Sequence, residues 1–295
     1  MQSDDKRDIS RRAAVGGSAG LLVAGLVGCS DDDVGTSGSG GAGGSGAGGQ
    51  GSTTGTATGT TTSAATTGSA STTASTGTGS SGGWASGGTA GMTDKASYPD
   101  PFQDPLGNAC TLTQAMTLGP CYAQTIERED ISEGSPGLPV RLALLVVDTS
   151  CNPVGGAVVD IWHTSYEGFY SGEDAPSLCT LDDPEAEAGR WFRGVQTTGA
   201  DGKVFFDTCF PGWYSGRAIH IHFQVRSGNQ TYVTSQLFFA EDLVQEIFAT
   251  HPDYSPFGQP DTPNATDGIY DVSGELTTAQ MTDGAMLASK VVVVD

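Results

Sequence analysis

The sequence predicts an all-β fold: an antiparallel β-sandwich core with long loops and at most one or two short helices. Three observations carry this. Short apolar or alternating runs recur between turn signals, Gly- and Pro-containing turns separate them, and a single segment has helical character. In order, Val140 to Asp148 reads as a strand, and Cys151 to Gly156 as a turn. Ala157 to His163 is the next strand. Val195 to Thr198 leads into the turn Gly199-Ala200-Asp201-Gly202, and Lys203 to Thr208 follows as a strand that Phe210-Pro211-Gly212 ends. Ile219 to Val225 and Thr231 to Phe239 form a hairpin about Gly228-Asn229. Glu241 to Ala249 is the helical segment, with Asp242 near its start, and Val291 to Val294 is a final strand.

The domain occupies residues 97–295. Ahead of it, 30–96 reads as a linker: from Gly35 to Gly83, every residue but Gln50 is Gly, Ser, Thr or Ala. Such a stretch has no side chains large enough to offset ordering entropy. A flexible tether of this length spans about 40 Å r.m.s.. Residues 1–29 read as an address. Arg11-Arg12 precedes a Gly- and Ala-rich apolar run, in the manner of a twin-arginine export signal. The run ends in Leu26-Val27-Gly28-Cys29, which resembles a lipobox, so the expected contact with a membrane is a lipid on Cys29.

The formal net charge of −21 excludes nucleic acid as a partner, because phosphate backbones would be repelled. Six cysteines are present. With Cys29 lipidated, Cys110, Cys121, Cys151, Cys179 and Cys209 remain, enough for two disulfides and one free thiol of unreadable connectivity. There is no CxxC pair to suggest a cysteine zinc site.

Two of the four histidines form His220-Ile221-His222. On a strand, residues i and i+2 share a face, so both imidazoles project together while Ile219, Ile221 and Phe223 face a core. Two imidazoles side by side are a ready metal pair. A cupin would add a Glu shortly afterwards, and none follows. Neither His163 nor Asp160 has a diagnostic spacing as a third ligand.

Tyrosines complete a more specific pattern. Ile161-Trp162, Gly168-Phe169-Tyr170, Arg193-Gly194-Val195-Gln196-Thr197-Thr198, Pro211-Gly212-Trp213-Tyr214 and Arg217-Ala218-Ile219-His220-Ile221-His222-Phe223 occur in this order, followed by Ser235-Gln236. This series resembles the intradiol ring-cleavage dioxygenases, the family of catechol and protocatechuate 3,4-dioxygenases, over Cys110 to about Tyr270. The resemblance implies a non-haem Fe(III) held by Tyr170, Tyr214, His220 and His222. It implies a small aromatic diol and O2 as reactants and a muconate-type diacid as product. Tyr214 takes the position of the dissociating tyrosine that accepts a substrate proton. Arg217 would stabilise the electron-rich ring, with Gln236 as a hydrogen-bonding neighbour. Tyr166 is the competing candidate for the place of Tyr170, and Tyr122 matches an aromatic at the pocket entrance. Two departures stand out. Only Ser215 and Gly216 separate Tyr214 from Arg217, as in the exported branch of the family, and no helical dimerisation domain precedes the core. The acidic stretch Glu173 to Glu187 would disfavour carboxylated catechols. The alternative is a non-catalytic exported module that binds a ligand or sequesters metal.

Overall fold

The computed structural model describes residues 83–107 and 109–295. The export signal over 1–29 and most of the expected linker, 30–82, lie outside the described residues. Among the described residues, eight strands and three α-helices follow one another as β1 (Pro139–Asp148), β2 (Val158–Trp162), α1 (Ser177–Thr180), α2 (Pro184–Ala188), β3 (Arg193–Thr197), β4 (Lys203–Cys209), β5 (His220–Ser227), β6 (Gln230–Phe238), α3 (Glu241–Thr250), β7 (Thr277–Gln280) and β8 (Met286–Val294).

The strands form two four-stranded sheets, ordered β4-β1-β8-β7 and β3-β2-β5-β6. All pairings are antiparallel except β1 with β8, which run parallel. Between the sheets lies the main core. Leu142, Leu144 and Val146 of β1 meet Ile161 of β2 and Ile221, Phe223 and Val225 of β5, all fully or nearly fully buried. Each such side chain contributes about 1.5–3 kcal/mol relative to exposure. β1 is buried on its other face as well, where Leu145 and Val147 pack with Phe102 and Cys110 of the preceding segment. This explains why β1 reads as a continuous apolar run rather than an alternating one.

The helices differ from expectation. There are three, because α1 and α2 are single turns within the acidic stretch, too short to show a helical period. Asp183 caps α2 through Glu185 N and Ala186 N, with Pro184 in its first turn. The four-residue strand β7, which pairs with β8, carries too little apolar pattern to be read from sequence.

The start of the domain also requires correction. Residues 83–96 were assigned to the linker, yet they lie on the sandwich. Trp84 packs against the core, its indole N–H donates to Glu246 at 3.0 Å, and Ala85 N donates to Gly284 O at 2.8 Å. Gly88, with φ +75°, donates its N–H to Gly137 O, and a Cβ there would stand 2.3 Å from Ser135 O. Lys95 joins Arg141 around the buried carboxylate of Asp207. The linker composition ends at Trp84, whose apolar area offsets the ordering of the residues after it.

Two disulfides are present, Cys110–Cys151 and Cys121–Cys179, and Cys209 is a buried free thiol.

Candidate metal centre

The centre sits on the face of the β3-β2-β5-β6 sheet that points away from the main core. Cross-strand register places Arg193, Trp162, His222 and Gln236 in one row across that face. Period-two alternation puts His220 beside His222, while Ile221 and Phe223 enter the core. The strand thus fixes both imidazoles. His220 donates from Nδ1 to Ala218 O at 2.6 Å, which leaves its Nε2 as a lone pair. His222 stacks on Trp162 with ring centroids 5.0 Å apart and planes 7° apart. Gly119 covers His222 from the other side, where a Cβ would lie 3.1 Å from its Cε1.

The two tyrosines arrive on loops. The loop after β2 and the loop after β4 cross so closely that only glycine fits. At Gly168, with φ +88°, a Cβ would fall 1.9 Å from Trp213 O; at Gly212 it would fall 2.3 Å from Tyr166 O. Gly212 N donates to Ser165 O at 2.9 Å, and Thr164 Oγ1 donates to Gly212 O at 2.7 Å. This crossing sets the spacing of Tyr170 and Tyr214, whose rings stand 6.0 Å apart. Tyr170 is further fixed through its N–H, donated to Cys179 O at 2.8 Å, and so through the Cys121–Cys179 disulfide.

Four donor atoms converge as a result. His220 Nε2 lies 3.1 Å from His222 Nε2, 3.3 Å from the Tyr214 hydroxyl and 3.5 Å from the Tyr170 hydroxyl. Burial holds both imidazoles well below the ordinary histidine range, so both are neutral. Burial also pushes both phenols up; the Arg217 guanidinium opposes this at Tyr214. Two neutral ring nitrogens this close require either a proton between them or a shared cation. The donor set fits a ferric ion. Two hard phenolate oxygens and two imidazoles suit a small trivalent cation, whose charge would offset the burial that keeps the phenols protonated. No group of three or more His, Cys, Asp or Glu able to hold a metal occurs among the described residues.

The remaining sequence candidates are placed as follows. Arg217 donates from Nη2 to Gln236 Oε1 at 2.5 Å and pairs through Nε with Asp267 at 3.0 Å; Gln236 donates from Nε2 to Thr117 O at 3.2 Å. Tyr166 packs against the edges of Tyr254 and Phe257. Tyr122 packs edge-on against Trp162, with centroids 4.9 Å apart. His163 is buried, donates to Thr164 O and accepts from Thr208 Oγ1, and desolvation lowers it to about 3. Asp160 is paired with Arg226 and Thr125.

Two residues escaped the sequence reading. Arg193 is fully buried beside the Tyr170 ring and bonded only to the carbonyls of Ser171 and Cys121. Its place in the matched Arg-Gly series was its one signal. Asp267 is a buried carboxylate from a loop whose composition gave none.

Fold and donor set together describe a β-sandwich that carries two phenols and two imidazoles at one point. Residues 116–251 match the family described as Dioxygenase (Dioxygenase_C). This segment of the chain is similar to dioxygenases of the intradiol ring-cleavage type. It is 29% identical over 143 residues to a catechol 1,2-dioxygenase of Acinetobacter lwoffii, covering 42% of this chain and 43% of that protein. It is 28% identical over 146 residues to a hydroxyquinol 1,2-dioxygenase of Nocardioides simplex, covering 45% and 49%. The matched stretches thus span about half the length of these relatives. The structure of an intradiol ring-cleavage dioxygenase from Tetranychus urticae superposes with a TM-score of 0.56 and 28% identity, covering 63% of this chain and 95% of that one.

Proposed function

We propose that the domain is a non-haem Fe(III) intradiol dioxygenase that cleaves a catechol-type diol between its two hydroxyl-bearing carbons, using O2, to a muconate-type diacid. The observation that carries this is the convergence of two phenols and two imidazoles within 3.5 Å of His220 Nε2. Tyr170, Tyr214, His220 and His222 would hold the metal. A bound ferric ion supplies the Lewis acidity that favours a doubly ionised catechol and opens its ring to O2.

The two tyrosines have different parts. Tyr170 is 1% exposed and tied to Cys179 O, so it stays in place. Tyr214 is partly exposed and sits on a short turn next to Arg217, which suits it to give way and accept a substrate proton at its hydroxyl oxygen. Arg217 orients the ring and faces developing negative charge, with Gln236 fixing one arm of its guanidinium. Trp162, itself backed by Tyr122, and Gly119 cover His222 and keep water from it.

Neutral catechols are the preferred substrates in this reading. The acidic segment carrying α1 and α2 packs onto Tyr170 and would repel a ring carboxylate. Export through the Arg11-Arg12 signal, with a lipid on Cys29, completes the proposal. Two disulfides within the domain support an oxidising compartment. The test is O2 consumption by the iron-loaded protein with catechol, with the diacid identified by mass. Stoichiometric uptake with both oxygen atoms of labelled O2 in the product is expected. An iron-loaded protein that leaves catechol intact contradicts the proposal.

A further inference from the structure

The loop between α3 and β7 grips the turn that carries Tyr214 and Arg217. Trp213 donates from Nε1 to Gly258 O at 3.2 Å. Gly216 N donates to Asp261 Oδ1 at 3.2 Å. Asp267 does most: its Oδ2 accepts from Arg217 Nε at 3.0 Å and from Ala218 N at 2.8 Å, and its Oδ1 accepts from Ile269 N at 2.8 Å. The Asp267 side chain is 1% exposed and that of Arg217 16%, so this is a shielded, charge-assisted pair.

The pair constrains geometry on both sides. With Nε held by Asp267 and Nη2 held by Gln236, the guanidinium plane is fixed, and its charge opposes the upward push of burial on Tyr214. Asp267 also pins the peptide of Ala218, whose carbonyl accepts from His220 Nδ1. Only Ser215 and Gly216 separate Tyr214 from Arg217, and Gly216 has φ +87°, so the turn has little structure of its own to hold it. The grip lies beyond residue 251, where the match to the family ends.

We propose that Asp267 is a positioning residue of the active site, acting through Arg217: it sets the guanidinium plane against which the diol is oriented. This rests on the dioxygenase reading of the same centre. Asp267→Asn keeps the size but removes the charge and replaces one of the two acceptor oxygens by a donor, so that either Ala218 N or Ile269 N loses its partner. In the iron-loaded protein it should weaken binding of 4-nitrocatechol, measured without O2, and lower kcat/KM for catechol per bound iron, each by at least about tenfold. Iron content should stay near wild type, whereas the metal-free domain should melt at a lower temperature, because a shielded pair has lost one charge. In an Arg217→Gln background the same change should add little, because the two act as one unit. Arg217→Lys, which keeps charge but loses the fork, should match Asp267→Asn and serves if that variant does not fold. Wild-type affinity and kcat/KM per bound iron in Asp267→Asn or Arg217→Lys would overturn the proposal. So would losses that add independently to those of Arg217→Gln. Failure of the dioxygenase reading shows separately, in a wild-type protein that neither binds nitrocatechol nor consumes O2, and the proposal falls with it.

Discussion

The two halves of the centre are delivered in different ways. The histidines stand on β5, where the backbone ladder to β2 and β6 fixes their spacing. The tyrosines stand on loops, and their spacing depends on a glycine crossing, a disulfide and a clasp from a distant segment. A strand positions side chains through hydrogen bonds that any sequence can make. A loop positions them through contacts that only particular residues allow. The strand half should therefore tolerate change away from the ligands, whereas the loop half should lose its metal chemistry through changes several residues distant.

The largest expected effect separates ligand loss from fold loss. His222→Ala should abolish stoichiometric iron binding while the metal-free domain keeps its circular dichroism spectrum, since the ladder does not need the ring. Metal analysis on the purified variant checks this; a variant that still holds one iron would remove His222 from the set.

Next is the disulfide beside Tyr170. The Cys121–Cys179 bridge closes 58 residues, so replacing both cysteines by Ser should cost about 4 kcal/mol in denaturant unfolding. It should also speed iron loss to a chelator, because Tyr170 N is bonded to Cys179 O. Unchanged iron release would separate the bridge from the loop half.

Gly168→Ala sharpens the comparison when set beside Ile221→Ala. The first should cost about 3 kcal/mol through strain and collision with Trp213 O, and also perturb the visible spectrum of the iron-loaded protein. The second should cost a similar amount, about 2–5 kcal/mol, by leaving a cavity in the core, and leave the spectrum unchanged. Equal spectral effects would erase the distinction between the halves.

The smallest effect is a pH dependence at His163. Desolvation lowers its folded-state value to about 3, against an ordinary 6.5. Below about 6.5 the unfolded chain takes up a proton that the folded chain refuses. Stability from this group is therefore full above that pH and declines as pH falls toward 3, by about 1.4 kcal/mol per unit. Urea unfolding of iron-loaded protein between pH 6 and 5 should show a shallower slope in His163→Gln than in wild type. Identical slopes would mean that His163 takes up its proton alike in the folded and unfolded chain.

The same contrast explains what could be read from sequence. β1, β2, β4, the β5–β6 hairpin and α3 were legible because alternation and turn residues are local signals. His220 and His222 sharing a face followed from period two alone. Tyr170 and Tyr214 carried no periodic signal; they were singled out through the ordered series Gly168-Phe169-Tyr170 and Pro211-Gly212-Trp213-Tyr214. Their convergence depends on a crossing of two loops, where Thr164, 48 positions away, and Ser165 meet Gly212. Asp267 was invisible because an Asp before Gly reads as a turn, and its partner Arg217 lies 50 residues away. The domain start was misplaced because one tryptophan, Trp84, outweighs the small polar residues around it.

The measurement that tests the central claim most directly is the visible spectrum of the iron-loaded domain, recorded before and after catechol is added without O2. Ligation by Tyr170 and Tyr214 predicts a broad visible band that shifts to longer wavelength with catechol and weakens in Tyr170→Phe. A colourless protein containing one iron per chain would show that neither tyrosine binds the metal, and the dioxygenase account of this centre would be wrong.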